Sequence, residues 1–280
     1  MTGRARKRDR EAGPSLAVWL ALVPIVVLFG TAIAGAVRQS LDPGFGPGER
    51  PLGLGAWREL ARDPTFGDAL WFSLRTTLLA TAISAVLALA ASLALRHRGA
   101  APRLLVSLPL PVPHLIVAVG AVLWLGPGGL VERAVGALPV DLVGDRAGAG
   151  VVLVYVVKEA PFLTVLLLAV LGRRLREREE VAATLGAGRW QRLRWVVLPA
   201  VAGPLALGSL VVAAFALGAL EVPLAVGPNA PQTLAGYALQ ATQLDAFGGQ
   251  ATAAASLLVA TALSLLLGLA ALRLARSARA

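Results

Sequence analysis

The chain has no cysteine, one methionine, two histidines and only two lysines among its 280 residues, and charged residues make up just 15% of it. Each shortage excludes something. Without cysteine there are no disulfides, thiolate metal sites or cysteine nucleophiles. His97 and His114 stand alone in the sequence, with no second histidine at ligand spacing. Neither Lys7 nor Lys158 follows a glycine, so no phosphate-binding Gly-Lys-Ser/Thr loop exists here. His-Glu-x-x-His and Gly-x-Ser-x-Gly patterns are missing too, which leaves hydrolytic chemistry without support and argues against an enzyme. The charged fraction itself lies well under the roughly 25% usual for soluble domains.

What fills the chain instead is apolar. Hydrophobic residues make up 57% and mean hydropathy is +0.73. Runs of about 20 apolar residues span a hydrocarbon core roughly 30 Å thick as helices, whose backbone groups are satisfied internally. Six such runs are present, at about 15–37, 69–95, 104–125, 150–171, 200–226 and 250–272. The third carries Pro109, Pro111 and Pro113 near its start and reads as a broken helix, which is tolerated where backbone faces protein or water rather than lipid. The fold class expected is therefore an all-α integral membrane protein with six transmembrane helices.

The net charge of +10 would point to nucleic acid in a soluble chain, but here the basic residues flank apolar runs, so no nucleic-acid partner is expected. Placing the N-terminus inside puts 18 of the 26 basic residues in cytoplasmic segments, and the positive-inside rule then favours an N-in, C-in arrangement. The basic start followed by an apolar run and Ala34-Gly35-Ala36 imitates a secretory signal, yet that run exceeds the 7–15 residues of a signal core and reads as an uncleaved anchor. Between Arg38 and Asp68 the prolines and glycines predict an irregular external loop with a short helix near Trp57 to Arg62.

The stretch 172–199 is the most distinctive. A connection of about 28 residues is far longer than two adjacent spans need. Arg174 to Leu185 is rich in helix formers, Gly186 and Gly188 permit a turn, and Trp190, Leu193 and Val197 recur at helical spacing before Pro199. The expectation is two short helices with a bend. A solvated basic loop resting on anionic membrane lipid is the plainer reading of the same residues.

Ionisable residues inside spans are expensive and mark function by default. Lys158 and Glu159, just before Pro161, point about 100° apart on a helix, so they do not face one another. Two readings stand equally: lining a translocation path, or pairing structurally with other helices. Glu221, two residues before Pro223, belongs either to a pore mouth or to the membrane interface. Arg75 is expected to snorkel outward.

In the long loop, Glu180-Val181-Ala182, three residues, Gly186, nine residues, then Val196-Val197-Leu198-Pro199 resembles the EAA loop of bacterial ABC importer permease subunits, of the type I importers. The pattern there is Glu-Ala-Ala, three residues, Gly, nine residues, an aliphatic residue, any residue, Leu and Pro; Val181 in place of the first alanine is the one departure. Ser73-Leu74-Arg75-Thr76-Thr77 and Gly126-Pro127-Gly128-Gly129-Leu130 also resemble the permease core, so the likeness covers about residues 67–272. It implies three parts: 1–66 as a basic N-terminus, an extra first helix packing on a second permease subunit, and an external loop; 67–272 as a five-helix core containing the coupling loop at about 172–199; and 273–280 as a basic cytoplasmic tail.

The resemblance further implies a protein of the bacterial plasma (inner) membrane that docks a cytoplasmic ABC ATPase dimer through Glu180, Ala182, Gly186, Leu198 and Pro199. Its second permease subunit would be identical or paralogous, and an external solute-binding protein would deliver the solute. No cofactor is expected in this chain; ATP and Mg would sit on the partner ATPase. Glu221-Val222-Pro223-Leu224 and Pro231-Gln232-Thr233-Leu234 look more like permeases for small charged solutes (polyamine, iron(III), sulfate, thiamine or phosphonate) than sugar permeases. The alternative is an ATP-independent secondary transporter, which should show inverted repeats and paired broken helices; no such repeat is evident.

Overall fold

A computed structural model describes residues 16–41, 52–136, 142–246 and 248–277; the basic stretch 1–14, the middle of the 38–68 connection and the end of the 273–280 tail lie outside the described residues. Every regular element among them is helical. In chain order these are α1 (Leu16–Leu41), α2 (Gly55–Arg62), α3 (Pro64–Leu95), α4 (Ala100–Ser107), α5 (His114–Leu125), α6 (Leu130–Val135), α7 (Ala149–Val170), α8 (Arg173–Thr184), α9 (Arg189–Arg192), a π-helical turn (Leu193–Val197), α10 (Leu198–Gly218), α11 (Glu221–Val226), α12 (Leu234–Leu244) and α13 (Gly249–Ser277). Six helical runs among the described residues are long and apolar enough to cross a membrane, and they overlap the six apolar runs of the sequence.

The bundle is organised around the pair α3 and α7, with α10 packed on both and α13 packed on α10. Helix α3 starts on Asp63, whose side chain accepts from the Thr65 N–H at 2.8 Å, with Pro64 at the first helical position where its missing donor costs nothing. Its buried face is a column of small residues (Ser73, Thr77, Ala80, Ser84, Ala88, Ser92), which lets a neighbouring backbone come close. In the same way Gly208 of α10 lies where an added Cβ would meet the Leu163 and Leu166 side chains of α7. One apolar cluster joins Ala80, Ala118, Tyr155 and Val222 at one end of the bundle, and another joins Ala88, Leu163, Leu167 and Val201 at the other. Leu78, Leu79, Val86, Leu265 and Leu266 are exposed, as side chains meant for lipid are.

Four sequence expectations are corrected. The apolar run 200–226 is two elements: α10 ends at Gly218 and α11 begins at Glu221 after a turn, a break that continuous hydropathy hides. The third span begins at His114 and takes in α5 and α6 as far as Val135, with α4 and the proline segment before it. The second short helix of the long loop does not stop before Pro199. Helix α9, the π turn and α10 run on continuously from Arg189 to Gly218. The Leu198 N–H reaches back five residues to Leu193, and this wider turn accommodates Pro199, which in a regular helix would crowd the carbonyl four residues back. Finally, α12 lies between the fifth and sixth apolar runs, where no element was expected; its N-cap Thr233 accepts from the Gly236 N–H and it packs on α13 and α3. Helix α2 forms where the sequence placed it, and α1 packs along α13 of its own chain.

Candidate functional site

Two places carry the chemistry. The first is the loop 172–199. Helix α8 presents one face inward: Leu175 is buried in the apolar cluster with Leu171, Val197 and Val201, and Glu179, one turn on, is buried too. The Glu179 Oε1 accepts from the Arg96 Nη1 at 2.7 Å, just past the end of α3. Arg103 donates to the Leu95 and Arg96 carbonyls at the same helix end, favourable beside the negative pole of α3. Glu180 and Val181 point away and are exposed, whereas Ala182 is half-buried.

Gly186 ends α8 by the geometry that glycine alone adopts freely. Its φ is +87°, its N–H donates to the Ala183 carbonyl, and the Ala187 N–H donates to the Ala182 carbonyl. These two bonds are the Schellman closure, so positions 182 and 186 of the motif are a helix stop with a fixed exit direction. Gly188 then opens α9, its N–H donating to the Gln191 Oε1 at 2.8 Å. At the bend Leu185 is 83% exposed and Trp190 81% exposed, an apolar tip projecting from an arginine-rich surface. Leu198 is half-buried and Pro199 lies in the first turn of α10.

The second place is the break in the third span. Lys158 on α7 is 4% exposed, and its Nζ donates to three carbonyls of the proline segment: Pro109 at 2.7 Å, Leu110 at 3.2 Å and Val112 at 2.6 Å. Three ammonium protons meet three oxygens that this irregular backbone leaves without a full helical ladder; Pro113, for one, has no N–H to give the Pro109 carbonyl. The neighbouring Glu159, 7% exposed, pairs with His114 at Oε1 to Nε2 2.9 Å. His114 is the first residue of α5, where a carboxylate also meets the positive pole of the helix, and its ring rests on Phe215 of α10 with centroids 4.8 Å apart. Two adjacent residues of α7, aimed apart as the helix requires, thus grip both sides of one break.

Glu221 opens α11 and is half-buried. The Tyr155 hydroxyl, buried without a hydrogen-bond partner, lies within electrostatic reach of Glu159 and Glu221. Arg75 does not simply snorkel: its Nη2 donates to the Arg146 carbonyl at 3.2 Å and the Ala147 carbonyl at 2.8 Å. Sequence reasoning missed His114 as the partner of Glu159 and Glu179 as the partner of Arg96, because each pair joins residues 45 and 83 positions apart. It placed the helix stop at Gly186 from composition alone.

With this geometry in view, comparison with known proteins decides the family. Residues 87–279 match the family described as binding-protein-dependent transport system inner membrane component. The chain belongs to that family. It is accordingly a multi-pass inner-membrane transport component rather than an enzyme. Among curated proteins it is 35% identical over 187 residues to the inner membrane ABC transporter permease protein YnjC of Escherichia coli (strain K12), a match covering 66% of this chain and 36% of that protein. The chain thus spans about a third of the length of that relative. Among solved structures it resembles a chain in the crystal structure of a bacterial alginate ABC transporter in complex with alginate pentasaccharide-bound periplasmic protein, with TM-score 0.70, 18% identity, and 93% of this chain and 94% of that chain covered. A second resembles it at TM-score 0.67 and 18% identity, covering 93% and 95%, from a bacterial ABC transporter that imports the acidic polysaccharide alginate. At such identity these likenesses establish the fold alone.

Proposed function

We propose that this family member forms half of the translocation path of an ATP-driven importer and couples it to a separate ATPase through the loop 172–199. The observation carrying the proposal is the shape of that loop: a fixed bend at Gly186 that projects Leu185 and Trp190 from one end of the bundle, with Glu179 and Leu175 anchoring its other face. Apolar side chains of that size, exposed amid arginines, fit a protein groove better than water. The excess of basic residues in the segments at this end supports a cytoplasmic position. A dimeric ABC ATPase there would hold ATP and Mg, a second permease subunit would complete the path, and an external binding protein would supply the solute.

The mechanical consequence follows from the connections. Motion of a docked ATPase passes from α8 to α3 through the Glu179–Arg96 pair, and from α9 straight into α10 through the π turn. Lys158 and Glu159 then act as a brace that keeps the broken third span in register with α7 while the bundle tilts. We assign the solute to the small charged class on the strength of the segments around Glu221 and Gln232.

The test is co-purification of the ATPase and solute uptake, with membrane abundance as control, in Glu180→Lys and Gly186→Val. An added side chain at Gly186 has room but a forbidden φ, so Gly186→Val should redirect the bend without touching the core. Both variants should insert normally and lose uptake by tenfold or more. Normal uptake and normal ATPase recovery in both would refute this assignment.

A further inference from the structure

At the end of the bundle opposite the loop, a cavity of about 390 Å³ opens between the start of α3 and the segment leading into α12. Arg75, Trp71 and Asp68 line one wall, Arg146 the rim, and Gln232 and Gln240 the other wall. A smaller cavity of about 170 Å³ adjoins it and shares Asn229, Gln232 and Gln240. Helix α3, at 32 residues, is about 48 Å long and exceeds a hydrocarbon core of roughly 30 Å by about a dozen residues. In its first turns Phe66 and Ala69 pack with Leu60 of α2 and Tyr237 of α12, which puts Arg75 near the outer end of the helix.

Two polar atoms in this lining are buried without any partner: the Arg75 Nε, a donor, and the Gln232 Oε1, an acceptor. The Arg75 Nη2 is committed to the Arg146 and Ala147 carbonyls, and the Arg75 guanidinium carbon lies 5.6 Å from the centroid of the Phe72 ring, so the group is held in place. Neither the Arg96–Glu179 ion pair nor the His114–Glu159 hydrogen bond involves it. Asp68, two turns outward on the same helix, is exposed and in water-screened surroundings. A fixed guanidinium with unfilled donor capacity, with Arg146 lining the same cavity and the exposed Asp68 its one carboxylate among the lining residues, is matched best by an oxyanion, which accepts in the plane of the fork.

We propose that this outer vestibule binds an oxyanion, with Arg75 supplying charge and N–H donors and Gln232 accepting from a protonated oxygen where the anion has one. The inference rests on the reading of this chain as part of a solute path. Within that reading it narrows the solute to the anionic members of the charged class, sulfate-like or phosphonate-like, against polyamine, thiamine or iron(III). A phospholipid headgroup offers the same phosphate chemistry at this depth, so the test separates the two sources.

Purified full-length chain is titrated with sulfate, inorganic phosphate or spermidine at constant ionic strength, in delipidated detergent and in phospholipid nanodiscs, while thermal unfolding is followed. Both anions should raise the unfolding temperature saturably in detergent and spermidine should not. In Arg75→Gln the half-saturating concentration should rise at least tenfold. Gln232→Leu leaves the guanidinium and its carbonyl bonds intact, and should weaken phosphate, which carries an O–H at neutral pH, more than sulfate, which carries none. Occupancy by lipid would show as nanodiscs abolishing the anion effect and as phospholipid retained by the native chain but lost in Arg75→Gln. Stabilisation by spermidine and not by either anion would overturn the proposal. So would anion and lipid behaviour unchanged in Arg75→Gln and Gln232→Leu. ATPase co-purification with the Arg75 variant is expected to stay normal, so failure here is distinguishable from failure of the coupling assignment.

Discussion

The bend at Gly186 and the break at Pro109 to Pro113 are both interruptions of helix, yet the chain closes them in opposite ways. At Gly186 a single glycine with φ +87° and two local N–H to carbonyl bonds finish α8, and water takes care of the rest. In the proline segment before the third span the carbonyls of Pro109, Leu110 and Val112 are served by Lys158, 46 to 49 residues away on α7. A local stop leaves side chains free to face a partner. A break served from a distance ties two helices together and makes each depend on the other.

That comparison is broken most severely at Lys158. Lys158→Met removes the donor from three partly buried carbonyls at once, of which Pro109 keeps a bond from the Val112 N–H, and at about 1–3 kcal/mol for each of the two left unpaired the folded chain should be strongly depleted from the membrane. Lys158→Arg, which restores donors and charge, should recover part of it. Membrane abundance and thermal unfolding in detergent measure both, and Gly186→Val, whose strain is confined to one exposed bend, should lower both far less. If Lys158→Met accumulates and unfolds like the native chain, the brace is not one.

A mid-sized effect should separate anchoring from docking within the loop. The Arg96–Glu179 pair is mostly buried, so Arg96→Glu or Glu179→Arg alone should cost about 1.5–3 kcal/mol and reduce uptake. The double exchange should recover a substantial part of both losses. Exchange at Glu180, exposed on the other face, has no intramolecular pair among the hydrogen bonds of the described loop and should find no such rescue by Arg96→Glu.

The smallest effect lies at the outer end of α3. Partial burial pushes the Asp63 carboxyl up, but hydrogen bonds from the Tyr237 hydroxyl at 2.7 Å and from Thr65 outweigh it and hold the carboxyl below its ordinary value of 3.8. A lowered folded-state value contributes stability that is present above the ordinary pKa and is lost as pH falls through the lowered one. Tyr237→Phe should therefore cost about 1 kcal/mol at neutral pH and shrink the loss of unfolding temperature on acidification below about pH 4. An unchanged acid response would show that this bond does not hold α12 to α3.

The same contrast explains what could be read in advance. The number of spans was legible because hydropathy is a local property, though the third and fifth lie displaced along the chain, and the helix stop was legible because Gly186 and its neighbours carry their own geometry. The break in the third span announced itself through three prolines, but its remedy did not. Lys158 looked like a path residue with two readings open, and nothing local names Pro109, Leu110 and Val112 as its acceptors or His114 as the partner of Glu159. Helix α12 escaped because 11 residues with Thr242 and two glutamines look neither like a span nor like an amphipathic surface helix. The end of α10 escaped because Ala219 and Leu220, which turn the chain, are as apolar as the helix before them.

The central claim is that the bend at Gly186 faces a cytoplasmic ATPase, and the absence of cysteine makes it directly testable. Leu185→Cys gives a chain with one thiol at the exposed tip. In intact cells a membrane-impermeant maleimide should leave it unlabelled until the membrane is permeabilised, and a bifunctional thiol crosslinker should join this chain to the ABC ATPase produced with it. Labelling from outside intact cells, with no crosslink to the ATPase, would contradict the account.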